Sequence, residues 1–257
     1  MKKQTIAQLK QLYTNGKFTN ELVEKLRRDQ RKGVQVLVNR YEKDQRKQQT
    51  LETAYFKMCA YENKLINQGY HFIAGVDEAG RGPLAGPVVA AAVILPADFK
   101  LLGLNDSKKL TAKTRNMYCA YIKQQAVSYG ISVVHNDEID RINIFEATKI
   151  AMHKALNQLD PAPTYALIDA VELQGLPYKS RSIIKGDATS VSIAAASIIA
   201  KVTRDRLMEE MHEKYPLYDF KSNMGYGTKH HLERLTQYGP SPIHRQSFAP
   251  VRKAIYS

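Results

Sequence analysis

The chain contains no tryptophan and only two cysteines among its 257 residues. It also has no apolar run long enough to cross a bilayer as a helix. Each shortage excludes something. Without tryptophan, an aromatic platform for a base or sugar has to come from Tyr, Phe or His. Cys59 and Cys119 sit in no Cys-x-x-Cys or Cys/His cluster, which argues against a structural zinc. Two isolated thiols fit a reducing compartment better than a disulfide framework. The longest apolar stretches, Leu84 to Ala97 and Ile193 to Ala200, are too short to span, so no membrane partner is expected. The Met1-Lys2-Lys3 opening leads into a polar helical pattern rather than an apolar leader, and a cytoplasmic location is expected. No Gly-x-Ser-x-Gly elbow supports a serine hydrolase. Acids are scarce as well: 25 Asp and Glu face 38 Lys and Arg, a net charge of +13. Such an excess favours a polyanionic partner, because each phosphate neutralised releases counterions, although a merely basic protein has the same balance.

At this length one sizeable domain and a small appendage are expected. Residues 1–68 carry the appendage. Ile6, Leu9, Leu12, Leu22, Val23, Leu26, Val34, Leu37 and Val38 recur at helical spacing, and Asn15-Gly16 marks a turn between two helices. Residues 1–52 hold 13 Lys and Arg against 6 Asp and Glu. A basic helical extension of this kind either touches nucleic acid or presents a solvated face. From residue 69 to 257 the pattern becomes mixed. Strands are expected at 71–77, 88–95, 131–135, 165–169 and 182–185, and helices at 111–128, 143–159, 190–213 and 228–238. Asn136 to Asn143 reads as a loop. Thr228 is placed to cap the last of those helices, and Pro216 to end the long one before it. Two hairpin-like strands followed by strand–helix alternation imply an α/β class: a mixed sheet with helices on its faces.

The densest chemistry lies in Phe72-Ile-Ala-Gly-Val-Asp77-Glu78-Ala-Gly80-Arg81-Gly82-Pro83-Leu-Ala-Gly86-Pro87. Two adjacent carboxylates end an apolar strand, where they repel unless a cation separates them. Carboxylate oxygens are the ligands that Mg²⁺ and Mn²⁺ prefer. The plainer alternative is a tight turn with solvated acids. Gly80 and Gly82 would let backbone approach a ligand closely. Asp169 follows Ala166-Leu167-Ile168 and should also emerge at a strand end. Asp187 precedes a helix, where it serves either the same site or as a cap. A Gly80-x-Gly82-x-x-x-Gly86 spacing is wrong for a dinucleotide fingerprint, and Pro83 and Pro87 interrupt the helix that fingerprint needs. His230-His231, on a short polar helix, reads as a surface pair rather than a metal site.

The Phe72–Pro87 run resembles the first motif of the type 2 ribonucleases H, in particular bacterial ribonuclease HII. Further blocks follow in order over about residues 70–255: Asp106-Ser107-Lys108-Lys109-Leu110, then Leu167-Ile168-Asp169. Next come Lys185-Gly186-Asp187 with Ser192 to Ser197 and Lys201-Val-Thr-Arg204-Asp205. Last are Gly225-Tyr226-Gly227-Thr228 and Gly239-Pro240-Ser241-Pro242-Ile243-His244-Arg245. One departure is visible. Many family members continue the third block Asp-Gly-Asn, whereas this chain has Asp169-Ala170-Val171.

The resemblance implies a ribonuclease H-like mixed sheet flanked by helices, with a helical N-terminal extension and a helical C-terminal part. It assigns Asp77, Glu78, Asp169 and Asp187 to one active site that holds two divalent ions, Mn²⁺ or Mg²⁺. Asp77 is the candidate bridging ligand. It further implies that Gly80-Arg81-Gly82 lies on the sugar-phosphate backbone and senses the ribose 2′-hydroxyl, and that Tyr226 stacks on the sugar of the next nucleotide. Read alone, Tyr226 is a turn residue. Lys108, Lys185, Lys201 and Arg204 are candidate phosphate contacts. The implied activity is endonucleolytic cleavage of the RNA strand of RNA–DNA hybrids and incision 5′ to a ribonucleotide embedded in duplex DNA. A ribonuclease HIII-like nuclease and a non-catalytic hybrid-binding module are the alternatives.

Overall fold

Strands that are apolar on both faces belong inside a sheet, and the two that carry such runs here do so. The structure, a computed structural model, describes residues 4–256. Its sheet has five strands: β1 (Ile73–Ala79), β2 (Val88–Ile94), β3 (Ser128–Val134), β4 (Tyr165–Asp169) and β5 (Lys179–Ile183). They lie in the order β3-β2-β1-β4-β5. β2 pairs antiparallel with β1 and β3, whereas β4 runs parallel to β1 and to β5. The expected mixed sheet is present, with β1 at its centre.

The two faces of β1 meet different helices. Ala74 and Val76 join Val88, Ala90, Ala92 and Ile94 in a core closed by Ala147, Ala151, Met152 and Ala155 of α7 (Ile144–Leu156). Gly75 faces the other way, toward α8 (Val191–Lys214). A Cβ on Gly75 would stand 2.0 Å from the Ser192 carbonyl carbon, so only glycine lets helix backbone rest on the strand. α8 is buried on every side from Val191 to Ala200, as its unbroken apolar run requires. Ser190 caps it, its side chain accepting from the Ile193 amide. The carboxylate of Glu62, in α4 (Ala60–Ile66), accepts from the Ser190 and Ser192 hydroxyls and the Ser192 amide at 2.5–3.0 Å. A buried acid at a helix N-terminus is favoured by the exposed amides and dipole there.

The chain divides into two compact units, residues 1–56 and 57–257. The first holds α1 (Ile6–Thr14), α2 (Asn20–Leu26) and most of α3 (Lys32–Met58). Its core is Leu9, Phe18, Val23, Leu26, Val34, Leu37 and Val38, most of the positions that helical spacing selects. The expected boundary at 68/69 lies beyond this division, and α4 falls in the second unit.

Several elements differ from expectation, among them β3, which begins at Ser128 instead of 131. Asn136 to Asn143, expected as a loop, contains α6 (Asn136–Ile142), after α5 (Ala112–Gln125) and β3. Asp137 and Glu138 occupy its first turn and only Ile139 is buried, so there was no apolar period to read. β5 begins three residues earlier than expected because it is an edge strand whose Lys179, Ser180 and Arg181 are exposed. The C-terminal part adds α9 (Phe220–Asn223), α10 (Lys229–Tyr238) and α11 (Ala249–Tyr256). Thr228 caps α10 as expected, and Pro216 opens a 3₁₀ turn just past α8.

Directly after β4, Ala170 has φ 47°, a left-handed conformation. This is the place where the resembled family commonly has glycine. An L-residue there costs about 1–2 kcal/mol, partly offset by the greater freedom of glycine in the unfolded chain. Ala170→Gly should therefore raise stability by about 0.5–1 kcal/mol in urea denaturation. A lower midpoint would show that the Ala170 methyl is worth more than the strain.

Candidate active site

The strand register brings the acids together. β1 and β4 pair up to Val76 and Ile168, so Asp77 and Asp169 come next, side by side on adjacent strands. Glu78 follows Asp77 where pairing with β4 has stopped. Asp187 arrives on a 3₁₀ turn, Gly186–Ala188, between β5 and α8. It does not cap α8, since Ser190 does. All four line one cleft of about 420 Å³, together with Gly80, Arg81, Gly82, Ser107, Lys108, Lys201 and Tyr226. Arg204 lines it as well, and of the residues expected at the site only Lys185 is not among those that line it.

Burial and mutual repulsion govern this cluster. Asp77 is almost fully enclosed, and its carboxyl is pushed well above the usual range by burial, then by Glu78 and Asp169. Its Oδ1 accepts from the Glu78 amide at 2.7 Å, and the Ser197 hydroxyl donates to it as well. Burial also raises Glu78, against the pull of Arg81, whose guanidinium lies 3.3 Å from Glu78 Oε1. Burial raises Asp169 too, although the Gly186 amide donates to its Oδ1 at 2.7 Å. Asp187 is raised by burial, then by Asp106 and Asp169. Burial works against the Lys108 ammonium, yet Asp106, Asp187 and Asp77 outweigh it and raise its pKa.

Such a set fits divalent cations. Glu78 Oε2 is buried with no hydrogen-bond partner, a costly state that a cation would relieve. The donors are all carboxylate oxygens, the type hard ions select. Among the described residues no three His, Cys, Asp or Glu side chains are already gathered to hold an ion, so the carboxylates would draw inward around one.

The Gly80-Arg81-Gly82 loop is built from beneath. Arg245 donates to the carbonyls of Gly80 at 2.6 Å, Arg81 at 2.9 Å and Gly86 at 2.9 Å. In a trans peptide the N–H points opposite to the C=O. The amides of Arg81 and Gly82 therefore face away from Arg245, and neither has an internal acceptor among the described residues. A Cβ on Gly82 would meet only Tyr226 Cε1, at 3.6 Å, so Gly82 and the tyrosine ring flank the same end of the cleft. Gly80 differs from expectation. A Cβ there would lie 2.2 Å from Arg204 Nε, so its room is needed by a buried side chain and not by a ligand.

Other expectations are corrected. Arg204, 1 % exposed, is no phosphate contact: it donates to the carbonyls of Pro87, Ala85 and Met224 at 2.9–3.1 Å. Lys201 is paired with Asp205 at 2.7 Å. His231 is not a surface residue but fully buried, whereas His230 is exposed. Sequence reasoning missed Arg245, Ser197, Ser107 and Asp106 as parts of the site. Their type carries no signal, and only their places in the quoted blocks could have flagged them.

The raised carboxyls make a stability prediction for the metal-free protein. In the unfolded chain these groups ionise near their ordinary values. A pKa raised by folding gives stability that is full below the unfolded value and lost as pH rises through the folded one. Asp77→Asn removes the most affected group. It should stabilise the metal-free protein at pH 8, less at pH 5, and not at all in divalent metal. Calorimetry across pH with and without Mg²⁺ checks this, and a destabilised metal-free variant at pH 8 counts against it.

Comparison with known proteins agrees with this geometry. The family model for ribonuclease HII matches residues 74–251, and that for the ribonuclease HII N-terminal domain matches residues 5–66. Ribonuclease HII of Oceanobacillus iheyensis is 58 % identical over 98 % of this chain and 97 % of its own. That of Enterococcus faecalis is 51 % identical over 99 % and 100 %. The crystal structure of ribonuclease H2 from Pyrococcus horikoshii aligns with TM-score 0.60 at 30 % identity, covering 71 % of this chain and 96 % of that one. Bst-RNase HIII in complex with Mn²⁺, 22 % identical with TM-score 0.58 over 72 % of this chain and 69 % of that one, shares the fold alone. With matched models across both parts of the chain, full-length relatives at over half identity and the four acids in one cleft, the chain belongs to the ribonuclease HII family.

Proposed function

We propose that this ribonuclease H cleaves the RNA strand of RNA–DNA hybrids and incises DNA 5′ to a single embedded ribonucleotide, leaving 5′-phosphate and 3′-hydroxyl ends. The observation that carries this reading is the convergence of Asp77, Glu78, Asp169 and Asp187 on one cleft beside two outward-facing amides. The four carboxylates would hold two divalent ions, Mg²⁺ or Mn²⁺, with Asp77 the candidate shared ligand. When bound, those ions activate water and stabilise charge on the leaving 3′-oxygen. The protein's own contribution is alignment. Amides of Arg81 and Gly82 receive the nucleotide at the cut, where a 2′-hydroxyl distinguishes ribose from deoxyribose. Lys108 faces the scissile phosphate, its charge secured by the surrounding acids. Tyr226, 45 % exposed beside Gly82, packs its ring on the following sugar. The basic extension, residues 1–68, adds contacts to the nucleic-acid backbone, and the protein works in the cytoplasm on ribonucleotides left in DNA.

The test uses a duplex with one embedded ribonucleotide and a full hybrid, in Mg²⁺ or Mn²⁺. Both should be cut, and Asp77→Asn should lower either rate at least about a hundredfold while hybrid binding persists. Cleavage of the hybrid alone would favour the ribonuclease HIII-like alternative, and binding without cleavage the hybrid-binding one.

A second prediction separates Tyr226 from the acids. Tyr226→Phe should keep most activity because the ring face survives. Tyr226→Ala should cost about 1–3 kcal/mol in kcat/KM on the embedded ribonucleotide, and less on the hybrid, where only ribose follows the cut. Equal losses on both substrates would leave Tyr226 a turn residue.

A further inference from the structure

His231 and His244 form a buried pair that the activity does not use directly. His231 sits in the first turn of α10 and His244 precedes Arg245, and the two are 0 % and 1 % exposed. His231 Nδ1 lies 2.8 Å from the Tyr226 carbonyl oxygen. The two Nε2 atoms face each other at 2.9 Å. On the far side, the Ser241 amide donates to His244 Nδ1 at 2.9 Å, with the Ser241 hydroxyl 2.8 Å away. Rings of Tyr218 and Phe220 pack around both imidazoles.

The ends of this chain fix its protons. A carbonyl oxygen only accepts, so His231 Nδ1 carries a proton. A backbone amide only donates, so His244 Nδ1 carries none and its ring proton sits on Nε2. His231 Nε2 then accepts that proton. Both rings are neutral, in opposite tautomers, and a further proton has no place. It would set two N–H groups against each other or evict the Ser241 amide. Burial acts in the same direction: it lowers His231, and with the partner ring it lowers His244 to about 4. The titratable or charged neighbours are His230 on the same helix, Tyr218 and Arg245. No carboxylate hydrogen-bonds to either ring among the described residues.

The Tyr226 ring makes no side-chain hydrogen bond among the described residues; it lies beside Gly82 in a cleft that Lys108 and Arg204 also line. Its backbone carbonyl accepts from both Thr228 N and His231 Nδ1 at 2.8 Å, which sets the direction in which the ring leaves the chain. The other end of the pair is tied to the loop that carries the outward-facing amides, through the bridge between Ala85 and His244.

We propose that His231 and His244 are positioning residues for Tyr226: the pair fixes the Tyr226 carbonyl relative to the Gly80–Gly86 loop, and so aims the ring that selects the sugar beyond the cut. This rests on the reading of Tyr226 given above.

His231→Phe keeps a buried ring but cannot donate to Tyr226. On a duplex with one embedded ribonucleotide it should lower kcat/KM about tenfold, and on a full hybrid about twofold or less. In a Tyr226→Ala background the further loss should fall below about twofold, since residues acting through one another are not additive. His231→Asn, which retains an N–H near the Nδ1 position, should recover most of the difference. Equal losses on the two substrates, or an undiminished loss in Tyr226→Ala, would overturn the proposal. If the wild type cuts neither substrate, the activity reading fails separately, and the pair is still decided by ¹H–¹⁵N spectra. Opposite neutral tautomers from about pH 5 to about pH 8 are expected, with the Tyr226 amide resonance displaced in His231→Phe. An imidazolium at about pH 6, or an unmoved Tyr226 resonance, would refute the positioning role.

Discussion

Two buried guanidiniums hold the substrate side of this molecule together. Arg204 and Arg245 have no carboxylate partner within hydrogen-bonding reach among the described residues, and between them donate to six backbone carbonyls: Ala85, Pro87, Met224, Gly80, Arg81 and Gly86. An unpaired buried charge is expensive, and hydrogen bonds to a charged group, each contributing about 1.5–3 kcal/mol, are what make it tolerable. Burial lowers Arg204 to about 10, and burial with Arg204 beside it lowers Arg245 to about 9, so both stay charged near neutrality. Carbonyl acceptors suit the task better than carboxylates would. The bonds to the Gly80 and Arg81 carbonyls leave the Arg81 and Gly82 amides facing away from Arg245.

The catalytic floor obeys the opposite logic. Four acids crowd the carboxyl ends of β1 and β4 and the turn before α8, and all four are raised by burial before any other cause. The sheet pays for this arrangement in stability, and the rigidity needed comes from its neighbours. Gly75 seats α8 directly on β1, and Glu62 and Ser190 secure the first turn of that helix just past Asp187. The site is strained where ions are to be held and satisfied where substrate is to be aligned.

Much of this was legible in the sequence, for identifiable reasons. β1 and β4 are apolar runs ending in acids, β2 is one stopped by Pro96, and α8 opens with an apolar run and has Pro216 behind it, so periodicity and punctuation located them. α6 and β5 were hidden because one buried side chain or a charged edge leaves no period. Strand ends drew attention to Asp77, Glu78 and Asp169, and the family resemblance assigned these three and Asp187 to one site. Arg204 and His231 were misread for a shared reason. A charged or polar residue in a polar helical stretch is ordinarily solvated, and only tertiary packing shows that these two are buried. Gly80 was misassigned likewise: its missing Cβ makes room for Arg204, which sequence spacing cannot reveal.

The division between floor and wall bears on how selectivity can change without loss of chemistry. Asp77, Glu78 and Asp169 sit on or beside adjacent strands whose register is fixed by burial, and a one-residue slip would turn every core side chain outward. Tyr226 and the amides of Arg81 and Gly82 sit on loops whose aim is set by Arg204, Arg245 and the His231–His244 pair. Those supporting groups hydrogen-bond to none of the four acids, so altering them changes alignment while leaving the carboxylates on the sheet. Alignment errors matter most when a substrate offers a single ribose to find, because only one register then satisfies both the amides and the ring. A continuous hybrid offers a ribose at every register and tolerates the error. On the proposed reading, discrimination between the two substrates is a property of the buried polar network under the loops, and cleavage itself a property of the sheet.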